Sequence, residues 1–475
     1  MRYVRSVPSL LFILLCITFV PQTAHAEYYW SRGYTEYLLR RAAQYDEMIE
    51  RALSRLPPGP AYDRLARLLY SRWYRDGRVY GYYNPWNRFP NWQKNSSVTL
   101  TSLGGVTSPQ IRPEGKGEPE KLWATDVHVW LASSGPYFAY ALVGYAGRGG
   151  VGGFNVVGFY NVTNPVPVVL VTSLFTDFRA FAVTRAPNGE ILLAGNSLIY
   201  GACFRRFVFR YPTNLNDRTN LVAAVRDHVI PTAGFAAVSI VADPKQVVVA
   251  SGDNAGVSVF EYPNMNQKAY WKIPNARAVA MDGSTPWVAS GQPGMLYPMD
   301  GRQSNPYKMG GAMTPESKST LQIFGNLAVA SLGEAGWASF CTKSGRRIGG
   351  APPLSSSLDY VINAVTRHGR DVFAAAGAGG VYHYWETDSA LNRDGCPNGM
   401  SLQNLGGISV NGAGASANDV FYQPILENAV AKLGILFLAE GRGGLAMVGV
   451  DQRTPYNPYH WYDYNRYYDW FRRSR

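Results

Sequence analysis

Three basic side chains lie where a binding site would form if the chain folds into repeated sheets around a channel. His128, Arg179 and Arg277 each occur in a short segment whose apolar residues alternate like those of a strand. Donors that face a channel together can bind an anionic ligand, since positive charge in a cleft attracts it. The alternative is that all three are solvated channel-lining residues. No Asp or Glu is paired with them in a pattern that assigns an acid and a base, so we predict no catalytic residue.

The C-terminal tail, residues 455–475, interleaves aromatic side chains with arginines. Tyr, Trp and Arg are the residues enriched at binding hot spots. The tail either packs on the N-terminal flank of the same chain, contacts another protein or a second copy, or binds a glycan or a membrane surface. The candidate partner-binding residues share this aromatic or basic character and are Tyr459, Trp461, Tyr464, Tyr467, Trp470, Arg472 and Arg473.

The glycine and histidine motifs predict no cofactor and no metal. Residues 147–152 match G-x-G-x-x-G, but a dinucleotide site requires a helix after the loop, whereas here a strand follows and similar loops recur in each repeat. We therefore interpret these glycines as turn formers. His368 and His383 lie close in sequence but lack a third ligand.

The first 26 residues predict export. Arg2 and Arg5 precede an apolar run at residues 10–20, and residues 24–26 (Ala-His-Ala) form a small-x-small cleavage site. We expect cleavage after residue 26 and a periplasmic, cell-surface or secreted mature chain, with an uncleaved anchor as the alternative. No later segment is apolar enough to span a bilayer, so the mature chain should have no transmembrane segment. Export also argues against a nucleic-acid partner.

The cysteines allow one covalent cross-link. Beyond the leader the chain contains Cys203, Cys341 and Cys396, and three thiols leave at least one unpaired. Their spacing contains no C-x-x-C motif. Cys341 and Cys396 fall in neighbouring repeats of an exported chain, so a disulfide between them is one expectation and unpaired thiols are the other. In the first case Cys203 is free and buried as a small hydrophobic residue.

A strand, a glycine turn and a second strand recur between residues 122 and 451, with a period of roughly 40–60 residues. The seven occurrences lie at residues 137–160, 191–211, 247–260, 287–297, 327–340, 372–385 and 436–450. This pattern predicts a mainly β fold, a β-propeller of about seven blades, in preference to a β-helix or a sandwich. A strand at residues 97–103 is a candidate to complete the last blade.

The basic charge and the tyrosines are concentrated outside these repeats. The 475-residue chain has a formal net charge of +12. Residues 27–94 hold 12 Lys/Arg against 7 Asp/Glu, residues 453–475 hold 5 against 2, and the two flanks together carry 17 of the 32 tyrosines. Apolar residues at steps of three and four predict helices at residues 34–53 and 61–74, joined as an αα-hairpin by Pro-Pro-Gly-Pro at 57–60. The predicted domains are a signal peptide (1–26), a helical hairpin with an aromatic linker (27–94), the β-propeller (95–452) and the tail (453–475).

The repeats resemble those of LVIVD-repeat β-propeller proteins of the bacterial exported type. Residues 438–445 (LAEGRGGL) and 448–451 (VGVD) are similar to the turn and strand of that repeat, and residues 159–167 (FYNVTNPVP) are similar to its loop. Residues 250–252 and 289–291 keep the turn but lose the Asn-Pro loop. The resemblance covers roughly two-thirds of the chain, excludes both flanks, and implies export and a binding role, although a fold does not fix a function.

Two functions of different classes follow. The first is a non-enzymatic binding or assembly scaffold in the periplasm or at the cell surface, whose aromatic, basic flanks contact another protein, copies of the same chain, or a glycan. The second is a propeller hydrolase or lyase with a site at the channel mouth, near His128. That site requires a carboxylate or a metal to converge there, and the sequence shows no such pattern. The first function is therefore preferred.

Overall fold

Strands dominate the part of the chain that the structure describes. The computed structural model describes residues 97–111, 119–159, 168–252, 255–291, 294–299, 306–309, 318–353, 355, 360–368, 371–388, 391–409, 415–424 and 432–453. Within these ranges there is no α-helix, and a 3-10 turn occurs at Arg148–Gly150. The predicted leader, the helical hairpin at 34–74 and the tail at 455–475 lie outside the described residues. No helix in the described ranges is long and apolar enough to cross a membrane.

The strands are short and follow one another closely along the chain. They are β1 (Ser97–Val106), β2 (Gln110–Ile111), β3 (Glu120–Lys121), β4 (Trp123–Leu131), β5 (Ala139–Ala146), β6 (Gly152–Phe159), β7 (Val168–Thr176), β8 (Phe178–Arg185), β9 (Glu190–Ser197), β10 (Gly201–Phe209), β11 (Val222–Pro231), β12 (Ser239–Ala242), β13 (Gln246–Ala250), β14 (Val257–Glu261), β15 (Gln267–Trp271), β16 (Ala276–Asp282), β17 (Thr285–Ser290), β18 (Met295–Pro298), β19 (Tyr307–Lys308), β20 (Leu321–Phe324), β21 (Leu327–Ser331), β22 (Trp337–Cys341), β23 (Arg347–Ala351), β24 (Ala364–His368), β25 (Asp371–Ala375), β26 (Val381–Asp388), β27 (Met400–Ile408), β28 (Ala415–Pro424), β29 (Lys432–Gly441) and β30 (Leu445–Arg453).

Four-stranded antiparallel sheets are the repeated unit. β8–β11, β12–β15, β16–β19, β20–β23 and β24–β27 each form one sheet in which neighbours in the chain are neighbours in the sheet. The largest sheet joins two further four-stranded units, β4–β7 and β28–β29–β30–β1, through a pairing of Gly441 with Ala124. β2 and β3 pair only with each other. The described residues thus contain seven four-stranded units.

The strand nearest the N-terminus completes the unit nearest the C-terminus. β1 pairs antiparallel with β30, from Ser97 opposite Arg453 to Val106 opposite Leu445. The strand predicted at residues 97–103 is therefore confirmed, and it extends three residues further, to Val106. In its unit β1 takes the outer position, after β28, β29 and β30.

Apolar side chains fill the space between consecutive units. Between the units that begin with β4 and β8, for example, Phe154, Phe178 and Phe207 lie in one buried cluster, and the Phe154 and Phe207 ring centroids are 5.3 Å apart. Comparable clusters lie between each following pair. Because both faces of a unit are covered, a middle strand such as β13 (Gln-Val-Val-Val-Ala) is buried along its whole length.

The first strands of the units lie next to one another in a series that returns to its start. β4 contacts β8, and the contacts continue through β12, β16, β20, β24 and β28, which in turn contacts β4. This arrangement brings side chains from distant parts of the sequence together where the first strands meet.

Glycine turns between the second and third strands explain the recurring sequence motif. Gly441 and Gly444, in the turn between β29 and β30, have φ values of 54° and 93°, which only glycine adopts readily. A Cβ atom at Gly444 would overlap the carbonyl oxygen of Val106 in β1. The last turn glycines Gly256, Gly336 and Gly380 face the outer strands of their own units in the same way. The predicted turn role of these glycines is confirmed, and after residues 147–152 the chain continues as strand β6.

Candidate functional site: a buried carboxyl pair with a lysine

In every second unit, a side-chain oxygen near the start of the unit accepts a hydrogen bond from the first strand of the next unit. The acceptor in one first strand receives the backbone N–H of a valine in the neighbouring first strand. These bonds join Val183 N to Asp126 Oδ2 (2.5 Å), Val279 N to Ser239 Oγ (3.2 Å), Val365 N to Thr320 Oγ1 (3.0 Å) and Val127 N to Asp419 Oδ2 (3.1 Å). The bonds tie the edges of adjacent first strands, where backbone donors would otherwise lack partners.

The residue at the position of this acceptor alternates between a side-chain acceptor and alanine from one unit to the next. In chain order the seven residues are Asp126, Ala182, Ser239, Ala278, Thr320, Ala364 and Asp419. Because seven is odd, the alternation fails at one junction, where the unit of Asp419 meets the unit of Asp126. Two carboxyl groups therefore become neighbours, although like charges in a buried site repel each other.

Lys318 balances this pair. It lies just before β20, whose neighbours are β16 and β24, and its side chain reaches across to β4 and β28. The ammonium contacts Asp126 Oδ1, donates to the Thr125 carbonyl oxygen at 3.0 Å, and lies 3.6 Å from Asp419 Oδ2. The exposed fractions of the Lys318, Asp126 and Asp419 side chains are only 16%, 13% and 8%, so little water screens the three charges.

The two carboxyl groups have opposite proton affinities. Burial acts to raise the pKa of Asp126, but the Lys318 charge and hydrogen bonds from Asp419, Lys318 and Val183 bring it below its ordinary value. Burial raises the pKa of Asp419 well above its ordinary value, and the Asp126 charge adds to the shift despite Lys318. The proton of the pair is therefore favoured on Asp419 and the negative charge on Asp126. An ionised and a protonated carboxyl side by side can exchange a proton.

His128 lies beside this cluster, two residues after Asp126 on β4. Its ring centroid is 5.7 Å from that of Phe421 and 6.4 Å from that of Trp130. Burial lowers the pKa of His128 to about 4; Asp126 opposes the shift and Arg185 contributes to it. His128 is consequently a neutral imidazole at physiological pH, and it contributes no positive charge toward an anionic ligand.

Arg179 and Arg277 lie at other positions along their first strands than His128 does, when each is counted from the residue that alternates between acceptor and alanine. Arg179 lies three residues before the alternating position of β8, at Ala182, whereas Arg277 lies one residue before that of β16, at Ala278. The Nε atom of each arginine is buried and has no hydrogen-bond partner among the described residues. The structure thus distributes His128, Arg179 and Arg277 over three strand levels, and the anion site formed by these three residues stays a prediction.

The cysteines form one disulfide, between Cys341 of β22 and Cys396 of the loop before β27. Cys203 is a free, buried thiol, and burial raises its pKa to about 11. Within the described ranges, one group of three side chains has the spacing of metal ligands, namely Cys341, Asp394 and Cys396. Two of its three ligand atoms are bonded to each other, so this group does not offer a metal site while the disulfide is intact. The predicted tail residues lie outside the described residues.

No protein-family model matches the chain, and a search of curated proteins finds no match either. The likeness to LVIVD-repeat proteins therefore stays a prediction from the residues quoted above.

Sequence reasoning missed Asp126, Asp419 and Lys318 as a site. A signal for the two aspartates was present, because the dipeptide Asp-Val occurs in a first strand of the first unit, at residues 126–127, and of the last, at residues 419–420. Lys318 had no such signal, since it lies in a connection that belongs to no repeated motif.

Proposed function

We propose that the seven four-stranded units are the blades of a β-propeller, with the first strands around a central channel. Three observations support this proposal: the units repeat without change in strand order, the series of first strands returns to β4, and β1 completes the last unit. A ring closed by pairing the two ends of a chain is a common solution for propellers, because it leaves only short, protected sheet edges.

We further infer that the protein is an exported, non-enzymatic scaffold that binds another protein or copies of itself through its flanks. The observation that carries this inference is the pairing of Ser97 with Arg453. Residues 27–96 and 454–475 are thereby attached to adjacent ends of two paired strands, about 5 Å apart. Both flanks are tyrosine-rich and basic, a composition that matches that of binding hot spots.

The solution mass of the mature protein tests this function. We expect light scattering to detect a species larger than the monomer, which becomes monomeric when residues 455–475 are deleted. Replacing Trp461 and Trp470 by alanine should have the same effect, whereas replacing Arg472 and Arg473 by glutamine should weaken association less. A monomer in every case contradicts self-assembly. If the protein captures a defined partner protein and loses it when residues 455–475 are deleted, the result would then support a scaffold that binds a different protein.

The alternative, a propeller hydrolase or lyase, is favoured by one observation. Asp126 and Asp419 converge beside His128 with opposite proton affinities, as an acid and a base require. Against it, both carboxyl groups already accept backbone N–H bonds and are largely buried. Hydrolysis of chromogenic esters or glycosides by the wild type, lost in Asp419→Asn but kept in Ser239→Ala, would support this alternative. Equal rates in all three proteins would contradict it.

A further inference from the structure

The lysine and two carboxyl groups of the candidate site have the composition of a condensation site. Lys318 offers a primary amine, Asp126 offers the carboxyl carbon that the amine can attack, and Asp419 offers a second carboxyl within reach of the same nitrogen. Asp126 and Lys318 come from different units and are 192 residues apart in the chain. Their contact is created by the fold alone.

We propose that Lys318 Nζ and Asp126 Cγ join as an amide, an internal isopeptide cross-link, with Asp419 as the proton-transfer group. The proposal goes beyond the scaffold function and does not depend on it. It assigns a covalent modification to the chain itself, formed after folding without any added reagent.

The atoms and charges of the reaction balance. The Lys318 ammonium gives one proton to the Asp126 carboxylate, which leaves a neutral amine and a neutral acid. The nitrogen lone pair then forms a bond to Cγ while the carbonyl π electrons move to oxygen. Asp419 donates its proton to the departing hydroxyl and takes the surplus proton from nitrogen. The Cγ–O bond breaks, the carbonyl reforms, and one water leaves. One positive and one negative charge disappear together, so the net charge is unchanged.

The surroundings favour this reaction over a permanent ion pair. Contact between the nitrogen and the acid replaces an encounter in solution, which raises the effective concentration greatly. The lowered pKa of Asp126 makes proton transfer from Lys318 the uphill step, whereas the loss of two charges from a site that excludes most water favours the amide product. The Val183 N–H already points at Asp126 Oδ2 at 2.5 Å, where a tetrahedral oxyanion would need a donor. The Thr125 carbonyl holds the amine in place.

Protonation of the second carboxyl supplies the remaining requirement. Burial and the neighbouring Asp126 charge raise the pKa of Asp419 well above the ordinary range of a carboxyl, which favours the protonated form that donates to the leaving hydroxyl. The Val127 N–H fixes Asp419 Oδ2 at 3.1 Å. Ion pairs of arginine in the described ranges lack this chemistry. In the pair of Arg206 with Glu190, for example, the planar, delocalised guanidinium is a poor nucleophile.

Mass spectrometry of the unfolded, disulfide-reduced wild-type protein decides the proposal. We expect a mass lower by one water molecule than that of the same chain without a cross-link. After trypsin, residues 122–148 should be found joined to residues 309–343, because an acylated Lys318 is not cleaved. A mass that shows no loss of water, together with a separate tryptic peptide that ends at Lys318, would overturn the cross-link. This measurement needs no variant, so it holds even if substitutions impair folding.

Variants then test the roles of the three residues. Asp419→Asn and Lys318→Arg should restore the full mass while circular dichroism shows an unchanged β spectrum. Ser239→Ala is the matched control, because it removes the equivalent interstrand acceptor elsewhere in the series and should leave the water loss complete. An Asp419→Asn protein that still loses the water overturns the role of Asp419. Loss of the cross-link in Ser239→Ala would show that weakened packing of the first strands, and not proton transfer by Asp419, determines whether the cross-link forms.

Discussion

The close approach of Gly444 to β1 makes a quantitative prediction about how the last unit is held together. In Gly444→Ala, the new methyl group would overlap the Val106 carbonyl oxygen and lie close to Ser108 N. The backbone conformation at φ 93° alone costs a non-glycine residue roughly 1–3 kcal/mol. Displacing the end of β1 would also lose one or two hydrogen bonds, at about 1 kcal/mol each. We expect the free energy of unfolding to fall by about 3–4 kcal/mol.

Gly149→Ala is the control that separates the two contributions. Gly149 also has a positive φ, 65°, but no atom lies within 4 Å of the position its Cβ would take. Its substitution should therefore cost only the conformational part, roughly 1–2 kcal/mol. Urea unfolding followed by circular dichroism measures both variants. Equal losses of stability in Gly444→Ala and Gly149→Ala would refute the argument that the contact with β1 is what requires glycine.

Three further predictions concern buried groups. Since burial lowers the pKa of His128 from 6.5 to about 4, its contribution to stability is complete above about pH 6.5 and decreases as the pH falls toward 4, by about 3 kcal/mol in all; urea midpoints across this range should vary less in His128→Gln. The buried Cys203 thiol, whose pKa is raised to about 11, should resist a thiol reagent in the native protein and react after unfolding; reaction at the same rate in both states would contradict its burial. Arg367→Ala removes the ion pair of Glu386, a carboxylate at 0% exposure that also accepts a hydrogen bond from Ser339 Oγ. The substitution should cost roughly 3–5 kcal/mol, far more than Arg210→Ala, where the arginine side chain is 46% exposed; equal urea midpoints would be inconsistent with this difference.

The repeated sheet architecture was predictable because its signals are local. A strand, a glycine turn and a second strand can be recognised in one stretch of sequence, and Gly441 and Gly444 show why glycine recurs there. The strand at Ser97–Val106 was predictable for the same reason. Its pairing with β30 followed only from the need to close the last unit.

The candidate site was not predictable, and strand bulges explain much of the failure. The first strands shift register between Ala124 and Asp126, between Ala180 and Ala182, and between Ala276 and Ala278. One extra residue moves every following side chain to the other face. The bulges therefore conceal the alternation of acceptors with alanine. The period-two apolar pattern also gives Arg179 and Arg277 the same surroundings, Arg-Ala followed by alternating apolar residues, although they lie three residues and one residue before the alternating alanines Ala182 and Ala278. Lys318 reaches its partners through space, across the series of first strands.

The position of β1 also has a consequence for the timing of folding. Ser97 of β1 pairs with Arg453 of β30, 356 residues later in the chain (453 − 97), so the unit that contains both strands stays unfinished until all the intervening units have been synthesised. Long-range pairing of this kind slows folding, and an unpaired strand edge can meanwhile recruit other chains. Between emergence of β1 and arrival of β30, the nascent protein should therefore be most dependent on chaperones and most prone to aggregate.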